Sequence, residues 1–257
     1  MAVSLFYKEF GVSESTPLIL LHGYPLDHTI WLALLPYLKK QTRVILPDLR
    51  GHGRSPVPQG VYTMQEMAED VLALMDMLGI EKAVLGGHSM GGYVALAFAR
   101  AFPERLAGFA LIASHAYADS EEKRNSRLQT AQQAQETGTT TQALADMPAL
   151  LSDQPQVREK MQTLIKQAHP LGVMGVLRGM AQRPESLDVL KALTIPTLII
   201  AGVNDKFIPI ETARQMAAHL PQPWLEEMSD CGHMPMLEQT HKTAGFLRQL
   251  LDQITST

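Results

Sequence analysis

Short, unbroken apolar runs recur along this chain, and they restrict its fold more than any other feature. They lie at Pro17–Leu21, Arg43–Leu46, Lys82–Leu85, Gly108–Ile112 and Pro196–Ala201. A strand with one wet face alternates apolar and polar residues, whereas a strand covered on both faces reads as a continuous apolar stretch. Longer helical patterns separate these runs. The expectation is therefore an α/β protein with a mostly parallel, doubly wound sheet and helices on both faces. Val3–Phe10 alternates more and is expected as an antiparallel edge strand. Thr63, with Glu66 three residues on, is a plausible N-cap for a helix through Leu78 that stops at Gly79. Further helices are expected over Met90–Phe102, from Pro209 to about Leu220 with Glu211 in the first turn, and over Leu237–Ile254.

From Ala116 to Arg183 the alternation stops. This stretch has helical patches at Ser120–Glu136, Thr141–Leu151, Gln156–Gln167 and Leu171–Gln182, and no strand-like run. It reads as an inserted helical cap (116–183) over a core made of 1–115 and 184–257; the alternative is a set of crossover helices with no functional role.

Composition removes several function classes. A formal net charge of −4 leaves no basic face for nucleic acid, and no Lys/Arg run is present to grip phosphate or anionic lipid. The apolar runs are too short to span a bilayer. The single cysteine, Cys231, excludes an internal disulfide and permits a reducing compartment. Met1–Phe10 lacks the basic and apolar regions of an export signal, so a cytoplasmic location is expected. No His/Cys/Asp cluster has zinc spacing and no dinucleotide fingerprint occurs, so neither metal nor cofactor is expected.

The strongest chemical signal is Gly86-Gly-His-Ser-Met-Gly-Gly92, which holds Gly87-x-Ser89-x-Gly91 between an expected strand and an expected helix. A serine there must occupy a sharp, strained turn that exposes its hydroxyl, with glycines on either side where the backbone approaches itself. Such a hydroxyl needs a base, and the base needs a third group to fix its tautomer. His233, in Cys231-Gly-His-Met-Pro235, is the candidate base. Asp205, just past the run Pro196–Ala201, stands where catalytic groups gather at the carboxyl ends of parallel strands. Asp119 is the rival acid. An oxyanion hole requires two backbone N–H groups. Met90, after the serine, and Tyr24, in His22-Gly-Tyr-Pro25, are the candidates.

Taken together these segments resemble the α/β-hydrolase superfamily, in its branch with an HGxP loop and a helical cap. The matching motifs are His22-Gly-Tyr-Pro25, Asp48-Leu-Arg-Gly-His-Gly-Arg-Ser55, Gly87-His-Ser-Met-Gly91, Gly202-Val-Asn-Asp205 and Gly232-His233. Within that resemblance Ser89 stands where epoxide hydrolases and haloalkane dehalogenases have aspartate. Met234 stands where ring-cleavage-product hydrolases commonly carry tryptophan and hydroxynitrile lyases lysine. Met90 replaces the tryptophan of the proline-iminopeptidase elbow. Esterases, enol-lactonases and perhydrolases remain, so the resemblance implies hydrolysis of a small ester or lactone through a Ser89–His233–Asp205 triad. A reading of another class is a hydrolase-like sensor that binds a small ligand and a protein partner through its cap.

Weaker candidates are Tyr24, His115 and Met234 as substrate contacts. His88 is expected to make a structural hydrogen bond, and Asp48 to cap backbone N–H groups. Met90, Met147, Met161, Met174, Met180, Met234 and Met236 suggest a hydrophobic, tolerant pocket.

Overall fold

The computed structural model describes residues 2–11, 15–138, 140, 144–145 and 147–255. Seven strands form one sheet: β1 (Tyr7–Phe10), β2 (Leu18–Leu21), β3 (Val44–Pro47), β4 (Ala83–His88), β5 (Leu106–Ile112), β6 (Thr197–Gly202) and β7 (Leu225–Met228). Their order is β1-β3-β2-β4-β5-β6-β7. β1 pairs antiparallel with β3, and every other neighbouring pair is parallel. Every residue of β2, β3, β4 and β6 is buried, as the unbroken apolar runs require, while the edge strands β1 and β7 are part-exposed.

Thr63 and Glu66 form the expected reciprocal cap on the helix Met64–Met77. The helix after Pro209 is shorter than expected, Ile210–Ala217. The last helix differs more: Pro235–Glu238 and Thr240–Thr255 are separate, divided at Gln239, whose φ is −135° and ψ 58°. The break has a physical reason, because the short first segment aims Glu238 back at the loop that precedes it. Its Oε2 accepts from the Gly232 N–H at 2.8 Å and its Oε1 from the Met234 N–H at 3.0 Å.

Between β5 and β6 lie helices Glu121–Thr137, Met147–Leu151, Pro155–Gln167, Pro170–Met180 and Leu187–Ala192, with no strand among the described residues. In the patch expected at Thr141–Leu151, residues 141–143 and 146 lie outside the described residues. The helix Pro170–Met180 sits directly on the loop that follows β3. Its glycines at 172, 175 and 179 share one face, and a Cβ at Gly172 or Gly179 would run into the backbone of Gly51 or Tyr62. The Tyr62 N–H donates to the Gly175 carbonyl at 3.0 Å. Among the described residues no helix is long and apolar enough to cross a membrane.

Beneath this contact Arg50 donates from Nε and Nη2 to both oxygens of Asp70, at 2.5 and 2.7 Å, and the Val3 N–H also donates to Asp70 at 2.7 Å. Both side chains are buried. Removing one partner of a buried pair strands the other charge, so Asp70→Ala should lower unfolding free energy by about 3–5 kcal/mol, read from urea titration.

Candidate active site

β4 ends at His88 and a helix starts at Met90, so Ser89 must turn the chain in one residue. It does so at φ 50° and ψ −114°, a left-handed φ that a side chain tolerates only when its surroundings impose it. The surroundings do. The Ser89 N–H donates to the Ile112 carbonyl at 3.0 Å, and the Ser114 hydroxyl donates to the Ser89 carbonyl at 2.7 Å. A Cβ on Gly87 would strike the Gly91 backbone, and one on Gly91 would strike the Leu21 and His22 carbonyls. The motif's glycines are needed for close approach, and β2 supports the turn from beneath.

The loop after β2 passes against the same turn. A Cβ on Gly23 would lie 2.5 Å from His88 Nδ1 and 3.2 Å from the Ser89 Cβ, which puts the Tyr24 backbone beside the serine. His22 ties this loop to the one after β3: its Nδ1 donates to the Gly23 carbonyl and its Nε2 accepts from the Leu49 N–H, both at 2.9 Å. Burial lowers the His22 pKa, in keeping with that accepting nitrogen.

His233 is held on all sides. Its Nδ1 donates to Asp205 Oδ2 at 2.7 Å, with both side chains buried. A carboxylate only accepts, so Nδ1 carries a proton, and in the neutral ring the lone pair is then on Nε2. Asp205 is itself fixed, since its Oδ1 accepts the N–H groups of Phe207 and Ile208 at 2.8 and 3.0 Å. The His233 N–H donates to the Leu151 carbonyl at 3.2 Å, and the His233 carbonyl accepts from His88 Nε2 at 2.8 Å. His88 thus makes the structural bond expected of it. Burial and then the nearby His233 ring push its pKa well below the usual imidazole range.

A cavity of about 470 Å³ is lined by Ser89, Met90, Tyr24, His115 and His233 among others. The structure therefore brings five of the expected residues to one space, with Asp205 behind His233. Met234 is a correction: it is fully buried and does not line the cavity, because it starts the Pro235–Glu238 turn with its side chain in the core. Met161 and Met236 likewise pack in the core, whereas Met147 and Met180 do line the cavity. His115 accepts or donates at Nε2 with the Tyr93 hydroxyl at 3.0 Å, and burial, then Arg183, push its pKa down to about 3. Among the described residues no imidazole hydrogen-bonds the rival acid Asp119. It pairs with Arg127 Nε at 2.6 Å and Arg183 Nη1 at 2.8 Å.

Lys123 and Arg127, absent from the sequence-based candidates, also line this cavity. Their spacing of four on one helix was the available signal. Asp48 behaves as a structural cap, accepting the His28 and Arg54 N–H groups at 2.9 Å and the His28 ring at 2.7 Å. With Asp27 these residues form the one cluster of metal-ligand type among the described residues, but both Asp48 oxygens are already engaged. Burial pushes the Cys231 thiol up to about 12, which leaves it inert at neutral pH.

The chain matches the family model of the alpha/beta hydrolase fold over residues 16–240, and it belongs to that family. It is 34% identical over 244 residues to the dihydrolipoyllysine-residue acetyltransferase component of an acetoin cleaving system from Pseudomonas putida, covering 91% of this chain but only 63% of that protein. It is 29% identical to 3-oxoadipate enol-lactonase 2 of Acinetobacter baylyi, covering 92% of this chain and 89% of the relative. Among solved structures, a thermophilic esterase from Thermogutta terrifontis with malate bound superposes with a TM-score of 0.93 and 40% identity, covering 97% of this chain and 93% of that one.

Burial also pushes the His52 pKa down from 6.5 to about 3. The unfolded chain then takes up a proton that the folded chain refuses, so stability is lost as pH falls from about 6.5 toward 3, at ~1.4 kcal/mol per pH unit for each such ring. Urea midpoints measured between pH 7 and 4 should fall with acid, and His52→Gln should flatten that slope.

Proposed function

We propose that this chain hydrolyses small carboxylic esters through an acyl-enzyme, with Ser89 as nucleophile, His233 as base and Asp205 as its orienting acid. The carrying observation is the Nδ1–carboxylate bond of His233 in a cavity wall shared with Ser89. His233 Nε2 takes the Ser89 proton as the hydroxyl oxygen attacks the ester carbonyl. The N–H groups of Met90 and Tyr24 receive the oxyanion. Collapse releases the alcohol with the proton from His233, and a water repeats the sequence to free the acid. Asp205 stabilises the imidazolium throughout. In this reading residues 116–183 act as a cap that closes the cavity over the acyl group.

Opening a lactone uses the same groups in the same order. The similarity to an enol-lactonase along nearly the whole chain supports that second reading, and a panel of esters and lactones separates the two.

With p-nitrophenyl butyrate, Ser89→Ala and His233→Ala should each cut kcat by roughly 10⁴-fold or more, with Asp205→Asn also severe. A phosphonate probe should add to Ser89, as read by mass spectrometry. Near-normal kcat in Ser89→Ala would overturn the assignment.

A further inference from the structure

The cavity is not the apolar pocket that its methionines suggest. Three cations, Lys123, Arg127 and Arg183, gather around one carboxylate, Asp119, which is the single acidic residue in the cavity wall among the described residues. Arg183 is consumed by structure: its guanidinium pairs with Asp119, donates to the Met180 and Tyr117 carbonyls, and lies 3.9 Å over the Tyr93 ring. Arg183 and Arg127 share the one Asp119 charge, so among the described residues the cluster keeps a surplus cation.

Arg127 and Lys123 are left facing the cavity. Arg127 donates to Asp119 from Nε at 2.6 Å and from Nη2 at 3.4 Å, and its Nη1 meets the Met180 sulfur at 3.4 Å, a weak acceptor. Its side chain is 13% exposed, so water does little to solvate the surplus charge. The Lys123 ammonium has the Phe207 ring at 5.9 Å and no carboxylate in ion-pair range among the described residues. Beside them Tyr24 is 8% exposed, lines the same cavity, and has a buried hydroxyl without a partner among the described residues. Arg127 and Tyr24 lie close enough to influence each other's ionisation. Partial burial, followed by the Arg127 charge, lowers the Lys123 pKa.

We propose that the natural substrate carries a carboxylate in addition to its scissile ester, and that Arg127, Lys123 and the Tyr24 hydroxyl bind it. This rests on the hydrolase reading of the same cavity. A carboxylate would take the unspent Arg127 and Tyr24 donors in charge-assisted hydrogen bonds and neutralise the surplus cation. A neutral aliphatic ester would leave both needs unmet.

The test compares monoethyl glutarate with ethyl pentanoate, which share chain length and differ in charge. The anionic ester should be favoured in kcat/KM by about tenfold or more, and added salt should raise its KM. Arg127→Gln and Lys123→Glu should each reduce that preference by about tenfold. Lys123 is on the exposed first turn of its helix, so its variant keeps the test open if Arg127→Gln fails to fold. Equal or better turnover of ethyl pentanoate, or a preference that neither substitution moves, overturns the inference and leaves ester hydrolysis standing. Calorimetric titration with glutarate reads the site without chemistry. Binding to Ser89→Ala that weakens on adding Lys123→Glu supports the inference, and absence of binding overturns it. Should Ser89→Ala retain turnover, the Ser89 assignment falls while the titration still decides the carboxylate site.

Discussion

A one-residue reversal between β4 and its following helix is the constraint around which the rest of the molecule is arranged. Ser89 at φ 50° holds strain of about 1–3 kcal/mol, and no local interaction of the serine alone would keep it there. The β5 carbonyl of Ile112, the Ser114 hydroxyl and the end of β2 each fix one side of the turn. All three are available because β2, β4 and β5 are parallel neighbours whose carboxyl ends finish at one edge. An antiparallel arrangement would have taken one of those ends away. The sheet's direction is thus a requirement of the site as well as of the core.

The same edge explains how residues far apart in sequence meet. Asp205 follows β6, which lies parallel beside β5, and His233 follows β7, which lies parallel beside β6. Hydrogen bonds then tighten the loops, with Asp205 on one ring nitrogen and Glu238 on the flanking amides, and the His88 and Phe207 rings pack with their centroids 4.9 Å from the His233 ring. The proposed hydrolysis demands this kind of hold, since loosely placed groups lose most of their advantage.

Much of this was legible in the residues. The unbroken apolar runs gave away a sheet covered on both faces, Val3–Phe10 announced its antiparallel edge, and the Gly87-x-Ser89-x-Gly91 spacing marked the turn. What stayed hidden depended on contacts across the chain. Met234 looked like a pocket residue because it follows His233, yet one peptide unit in a turn reverses the side chain's direction. Lys123 and Arg127 share one helix face by their spacing of four, but nothing local says whether that face is solvated or overhangs a cavity. The glycines at 172, 175 and 179 lie in an expected helix, but the loop they clasp lies more than a hundred residues earlier. The split at Gln239 follows from where Glu238 is needed, which periodicity cannot report.

The hydrogen bond from the His233 amide to the Leu151 carbonyl joins the floor of the cavity to its roof. Leu151 ends a helix of the segment between β5 and β6, and its side chain is fully packed. A displacement large enough to lift that helix off the sheet removes the acceptor that steadies the imidazole loop. Uncovering the chamber and loosening the loop that carries His233 are therefore a single event.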